Sequence, residues 1–145
     1  MSLRICPASL ALLLAFASTA FADGVHARIE GPGDDGATYT VRVLSCGKKT
    51  TLDPWAIAEG LVDGKRQSVL LDLQPTRDHC VYRFKRAWVP QGRWMIRLSL
   101  GHPPAPATVA SLRADGTVEK NELFLKSDGS QECHKALKPD SSPGC

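Results

Sequence analysis

The chain has 145 residues, 43% of them hydrophobic and 23% charged, with 18 Lys and Arg against 15 Asp and Glu. That composition suits one globular domain and excludes a disordered, collagen-like or coreless disulfide-rich chain. The net charge of +3, or +2 without Arg4 of the leader described next, is too small for a general nucleic-acid binder.

Met1 to Ala22 carries the three parts of a secretory signal: Arg4 as the positive start, Leu10 to Phe16 as a short apolar run, and Ala20-Phe21-Ala22 as a small-x-small cleavage site. The apolar run is too short to span a bilayer, and the mature chain has no transmembrane segment of its own. Removing 22 of 145 residues leaves 123, enough for one modest core. The expected organisation is therefore a signal peptide over 1–22, one domain over 23–137 and a tail over 138–145, in a periplasmic or secreted protein.

Short alternating segments separated by turn residues follow in close succession, the pattern of an all-β domain. Val25 to Gly31 alternates Val25, Ala27 and Ile29 and ends in the turn Gly31-Pro32-Gly33-Asp34-Asp35-Gly36. Thr38 to Cys46, rich in Tyr, Thr and Val, reads as a central strand. Trp55 to Leu61 reads as a strand in preference to a short helix capped by Asp53-Pro54. Arg66 to Gln74 returns with Val69, Leu71 and Leu73 on one face, after an Asp63-Gly64 turn that suits a tight hairpin.

Cys80 to Val89 and Arg93 to Gly101 read as a second hairpin closed by Pro90-Gln91-Gly92. Tyr82, Phe84, Trp88, Trp94, Ile96, Leu98 and Leu100 share one parity across it and form the expected core. The proline-rich stretch His102 to Pro106 crosses between sheets or lies at an edge, because proline cannot complete a ladder. Ala107 to Arg113 and Thr117 to Lys126 form the last hairpin around Ala114-Asp115-Gly116. About eight strands with mainly short turns predict a two-sheet, immunoglobulin-like sandwich.

Four cysteines follow the leader: Cys46, Cys80, Cys133 and Cys145. An even number in an exported chain predicts two disulfides, and four cysteines allow three pairings. Cys46 with Cys80 and Cys133 with Cys145 is the preferred set, with Cys80 to Cys133 as the rival. No pair has CxxC spacing, so zinc-ribbon and thioredoxin-like chemistry is not indicated.

No GxSxG elbow and no HExxH pair is present, and most of the acids, which include Glu59 and Asp72, fall near turns or on polar faces. Asp78-His79-Cys80 offers a nucleophile beside an imidazole, but strand neighbours point to opposite faces and a disulfide cysteine has no thiol. The chain reads as non-enzymatic, with no cofactor. Arg83, Lys85, Arg93 and Arg97 would project together from the outer side of the second hairpin and attract an anionic partner such as a polymer, a lipid headgroup or an acidic protein. Arg86 breaks the alternation, by a bulge or by laying its stem along the aromatics.

Two further readings remain. Cleavage one residue after Ala22 would place His26 third in the mature chain, where it could complete a square-planar copper site with the amino terminus. A rigid loop over Gly101 to Pro106 would suit a secreted protease inhibitor.

Tyr82 followed by Pro90-Gln91-Gly92-Arg93-Trp94-Met95-Ile96-Arg97-Leu98 resembles the "Tyr, then Gly-x-Trp-x-Leu" ending of small exported immunoglobulin-like sandwiches, the FixH/YtkA-like group among them. Gly60-Leu61-Val62-Asp63-Gly64-Lys65 is similar to an upstream turn of that group. The resemblance implies a sandwich with an accessory, non-enzymatic role. The chain departs from it at Cys80-Val81, where a glycine is expected before the tyrosine, and it lacks the group's methionine and histidine metal ligands.

Overall fold

The computed structural model describes residues 26–44, 52–101 and 107–124, together with Cys133, Lys135 and Leu137. The strands are β1 (His26–Glu30), β2 (Thr38–Leu44), β3 (Trp55–Val62), β4 (Lys65–Leu71), β5 (Gln74–Pro75), β6 (Val81–Lys85), β7 (Arg93–Ser99), β8 (Ala107–Leu112) and β9 (Val118–Phe124). They form two antiparallel sheets, ordered β1-β2-β6-β5 and β4-β3-β7-β8-β9. No helix among the described residues is long and apolar enough to cross a membrane.

Alternation sorts each strand's side chains into the interior or outward. From the four-stranded sheet, Ala27, Ile29, Tyr39, Val41, Val43 and Phe84 enter the core. They meet Ala56, Ala58, Leu71, Trp94, Ile96, Leu98 and Ala110 from the five-stranded sheet, which makes the fold a β-sandwich. Tyr39 stacks on Phe84 at 5.2 Å, and Trp88 bridges Tyr39 and Trp94 with centroid separations of 5.4 and 6.1 Å. Gly60 makes room for Trp94: a Cβ there would lie 2.4 Å from the indole. Of the seven expected core residues, five are buried, while Tyr82 and Leu100 are partly buried against the same cluster.

The turn at 63–64 has positive φ at both residues, 48° at Asp63 and 73° at Gly64, as a primed hairpin turn requires. It joins β3 to β4 in the expected register, with Ala58 opposite Val69 and Ala56 opposite Leu71. The last hairpin is also as expected, with β8 beside β9 and Gly116 at φ 90°.

The second expected hairpin is not formed. β6 pairs with β2 and β5, β7 pairs with β3 and β8, and residues 86–92 carry the chain from one sheet to the other. The parity that put Phe84 and Trp94 in one core holds, because the inner faces of two stacked sheets show the same alternation as one face of a hairpin. Because β7 and β8 are neighbours in one sheet, the first of the two expectations for His102–Pro106, a crossing between sheets, is not met, and a crossing occurs before β7 instead. His102–Pro106 itself lies outside the described residues.

The two sides of the sandwich differ. On one side, the outer edge of β1 is tied to the other sheet by side chains. Asn121 Oδ1 accepts from the Ile29 N–H at 2.9 Å and its Nδ2 donates to the Ile29 carbonyl at 3.0 Å. Thr108 Oγ1 donates to the Ala27 carbonyl at 2.9 Å, and the Val118 N–H donates to the Gly31 carbonyl at 3.0 Å. These bonds satisfy much of an otherwise bare strand edge. On the other side, a cleft of about 540 Å³ is lined by Leu70 of β4, Gln74 of β5, Thr38 of β2 and Arg83 to Lys85 of β6, among others.

The Leu137 N–H donates to the Cys133 carbonyl at 3.0 Å, and both side chains are buried. Cys80 is disulfide-bonded. Cys133 is in no disulfide, so neither the expected Cys133–Cys145 pair nor its rival Cys80–Cys133 is formed; Cys46 and Cys145 lie outside the described residues, as do Met1–Ala22 and 138–145.

Candidate functional site

The four cations expected on one surface are divided between the two sheets. Arg83 and Lys85 project from β6 on the outer face of the four-stranded sheet, and Arg93 and Arg97 stand on β7 in the other sheet. Arg97 is buried. Its Nη2 lies 3.2 Å from Glu59 Oε1, the guanidinium sits 5.1 Å from the Trp55 ring centroid, and its side chain is 11% exposed. This arrangement positions a buried charge within the protein and leaves little of it to offer a partner. Ser99, Ala107 and Val109 on the same outer face are equally enclosed.

Arg83 and Lys85 acquire different neighbours. The register places Arg83 opposite Thr40 and Lys85 opposite Thr38. On the same face, Arg42 of β2 lies directly opposite Arg28 of β1. All four cations are exposed. Glu30 lies 3.6 Å from Arg28, and among the described residues no carboxylate is within ion-pair distance of Arg42, Arg83 or Lys85. Two arginines directly opposed across antiparallel strands repel, so this face lowers stability unless a counter-charge arrives.

The positive field reaches the β1–β2 turn. Asp35 accepts from the Thr38 hydroxyl and from the Ala37 and Thr38 N–H groups at 3.0 and 2.8 Å. The Thr38 hydroxyl first, then the two amides, with a smaller contribution from Lys85, hold its pKa down at about 2, below the ordinary 3.8. Thr40 lies between Arg83 and Glu30, and Thr38, whose hydroxyl donates to Asp35, lies beside Lys85, so the face joins charge to neutral hydrogen-bonding groups.

Arg28 and Arg42 were legible as outward residues, since each sits between two buried neighbours. Which strands lie side by side was not legible, and that is what brings them beside β6. Arg86 lays its guanidinium near Trp88, 5.9 Å from the centroid, and donates to the Asp115 carbonyl at 3.1 Å. Arg86 follows the end of β6, and it is the guanidinium that comes near the aromatic ring.

The remaining candidates do not converge. Asp78-His79-Cys80 lies in a turn and not on a strand, with Cys80 at φ 63° and its sulfur in a disulfide. His26 opens β1 and lines a groove of about 620 Å³ beside β9. Among the described residues no three His, Cys, Asp or Glu side chains gather as a metal site would require. Gly101 receives hydrogen bonds at its carbonyl from Ser99 Oγ at 2.8 Å and Trp55 Nε1 at 3.3 Å, and the rest of the expected inhibitory loop lies outside the described residues.

Compared with protein-family models, curated proteins and solved structures, the chain matches none.

Proposed function

We propose that this is an exported, non-enzymatic binding protein that recognises an anionic partner through the outer face of its four-stranded sheet. The observation that carries this reading is the gathering of Arg28, Arg42, Arg83 and Lys85 on one exposed face, with two arginines directly opposed. Folding gains nothing from that repulsion, whereas an anionic polymer or surface laid across the strands would relieve it. Export rests on the Met1–Ala22 signal.

The fold we propose for this role is immunoglobulin-like. The order β1-β2-β6-β5 over β4-β3-β7-β8 follows the A-B-E-D and C′-C-F-G arrangement of such sandwiches, with β9 added beyond the last strand. The resemblance at Tyr82 and Pro90–Leu98 supports the same accessory role. A Cys46–Cys80 disulfide is favoured by the 2.9 Å bond from the Val43 N–H to the Cys80 carbonyl, which sets Cys80 beside β2 three residues before Cys46.

Retention on immobilised heparin at low ionic strength tests the binding face. Replacing Arg28, Arg42, Arg83 and Lys85 together with Ser should abolish most of the retention, whereas Arg93→Ser on the other sheet should leave it near wild type. Unchanged retention of the fourfold variant would remove the proposed surface.

A further inference from the structure

We propose that the cleft between β4 and β6 binds a single amphiphile with an anionic head and one unbranched apolar chain. The inference rests on the anion-attracting face proposed above, and it adds an apolar subsite at that face's border.

Asn121 and Thr108 tie the two sheets together beside β1, and a separate cleft lies on the other side of the sandwich, at β4. The opening has a volume of about 540 Å³, within the range of roughly 300–1,000 Å³ typical of small-molecule sites. Arg83, Lys85 and Arg86 line it from β6 and the residue after it, and Phe84 forms part of its wall. Leu70 lines the β4 side and is 72% exposed, the most exposed large hydrophobic residue among those described.

Leu70 breaks its strand's pattern. Val69 and Leu71 face the interior opposite Ala58 and Ala56, so position 70 points the other way, where a polar residue is expected. A singly exposed leucine is ordinary on a protein surface. A leucine that shares a cleft with Arg83 and Lys85 forms a two-part site, charge on one wall and apolar surface on the other, while the Arg86 guanidinium is turned to Trp88 and the Asp115 carbonyl.

Asp72 narrows the ligand class. It is the one carboxylate in the lining among the described residues, and it would repel negative charge placed at the β4 wall. The anionic head therefore sits toward Arg83 and Lys85, and the chain lies along Leu70. A polyanion filling the whole cleft would meet Asp72, whereas a single terminal carboxylate or phosphate would not.

Calorimetric titration with decanoate and with decyl phosphate, each below its micellar concentration, tests the site and separates the two head chemistries. Binding of either ligand, with butyrate and decyl maltoside much weaker, is the expected result. Leu70→Ser should weaken that binding about tenfold, by removing the apolar contact, while leaving heparin retention at the wild-type level. Arg83→Ser with Lys85→Ser should weaken both. Absence of binding by both decyl ligands, or equal affinity in wild type and Leu70→Ser, would overturn the site. Loss of the heparin result with Leu70-dependent decyl binding intact would sink the sheet-face reading and leave the cleft standing.

Discussion

Asn121→Ala should destabilise the fold well beyond what its position on an edge strand suggests. The Asn121 amide replaces a missing strand: its oxygen takes the Ile29 N–H and its nitrogen serves the Ile29 carbonyl, while Ile29 itself is 1% exposed. Two hydrogen bonds contribute about 1 kcal/mol each, and backbone groups left unsatisfied cost about 1–3 kcal/mol unless water reaches them. The expected loss is thus about 2–4 kcal/mol, or a fall in Tm of roughly 8–16 °C for a domain of this size. Urea unfolding followed by tryptophan fluorescence would read it as a midpoint lowered by about 1–2 M with an unchanged slope. Asn121→Asp sharpens the test, because aspartate still accepts from the Ile29 N–H but sets a second acceptor against the carbonyl. It should be no more stable than Asn121→Ala at pH 7, and it should recover in part under acid, where the protonated carboxyl regains a donor. If Asn121→Ala lay within about 0.5 kcal/mol of wild type, the β1 edge would owe its stability to packing alone.

Three further outcomes follow from the geometry. Gly92→Ala should cost about 2 kcal/mol or more in urea unfolding, since φ is 91° and a Cβ would lie 2.5 Å from the Leu61 carbonyl oxygen. Glu59→Ala leaves the Arg97 guanidinium enclosed beside Trp55 and should cost about 3 kcal/mol, much of which Glu59→Leu with Arg97→Met should recover. Asp35 has its pKa lowered from 3.8 to about 2, so its stabilising effect is present above pH 3.8 and fades as pH falls through about 2. Acid unfolding of Asp35→Asn should therefore depend less on pH across that window than wild type does, and an identical profile would show that the turn does not couple to folding.

Local pattern made much of the fold legible. Asp63-Gly64 specifies its hairpin because the chain must adopt positive φ twice in succession, and Val69 and Leu71 fix which face of β4 turns inward. Partnership between distant strands was not legible at β6 and β7. Seven residues separate them, and the alternation of Phe84 and Trp94 reads the same for one face of a hairpin as for two facing sheets. That ambiguity divided the expected cationic group. Arg97 has outward parity, yet parity does not reveal that Glu59 and Trp55 stand beside it on β3, or that the outer face is enclosed. Arg28 and Arg42 were open to the same parity argument as Arg83. What sequence lacked was the β1-β2-β6 order that makes them a group. Asn121 is less visible still, because an asparagine in a charged edge strand gives no sign that it completes the hydrogen bonding of a strand 92 positions earlier.

Substitution at Arg42, which stands opposite Arg28 and beside β6, tests whether the four-stranded face binds anions. Affinity for a fluorescent heparin oligosaccharide, measured by anisotropy at several salt concentrations for wild type, Arg42→Ser and Arg42→Glu, is the decisive measurement. Affinity should fall stepwise from wild type to Arg42→Ser to Arg42→Glu at low salt, and the three should converge as rising salt screens the exposed charges. Equal affinity for all three proteins at low salt would contradict a role for the four-stranded face in binding anions.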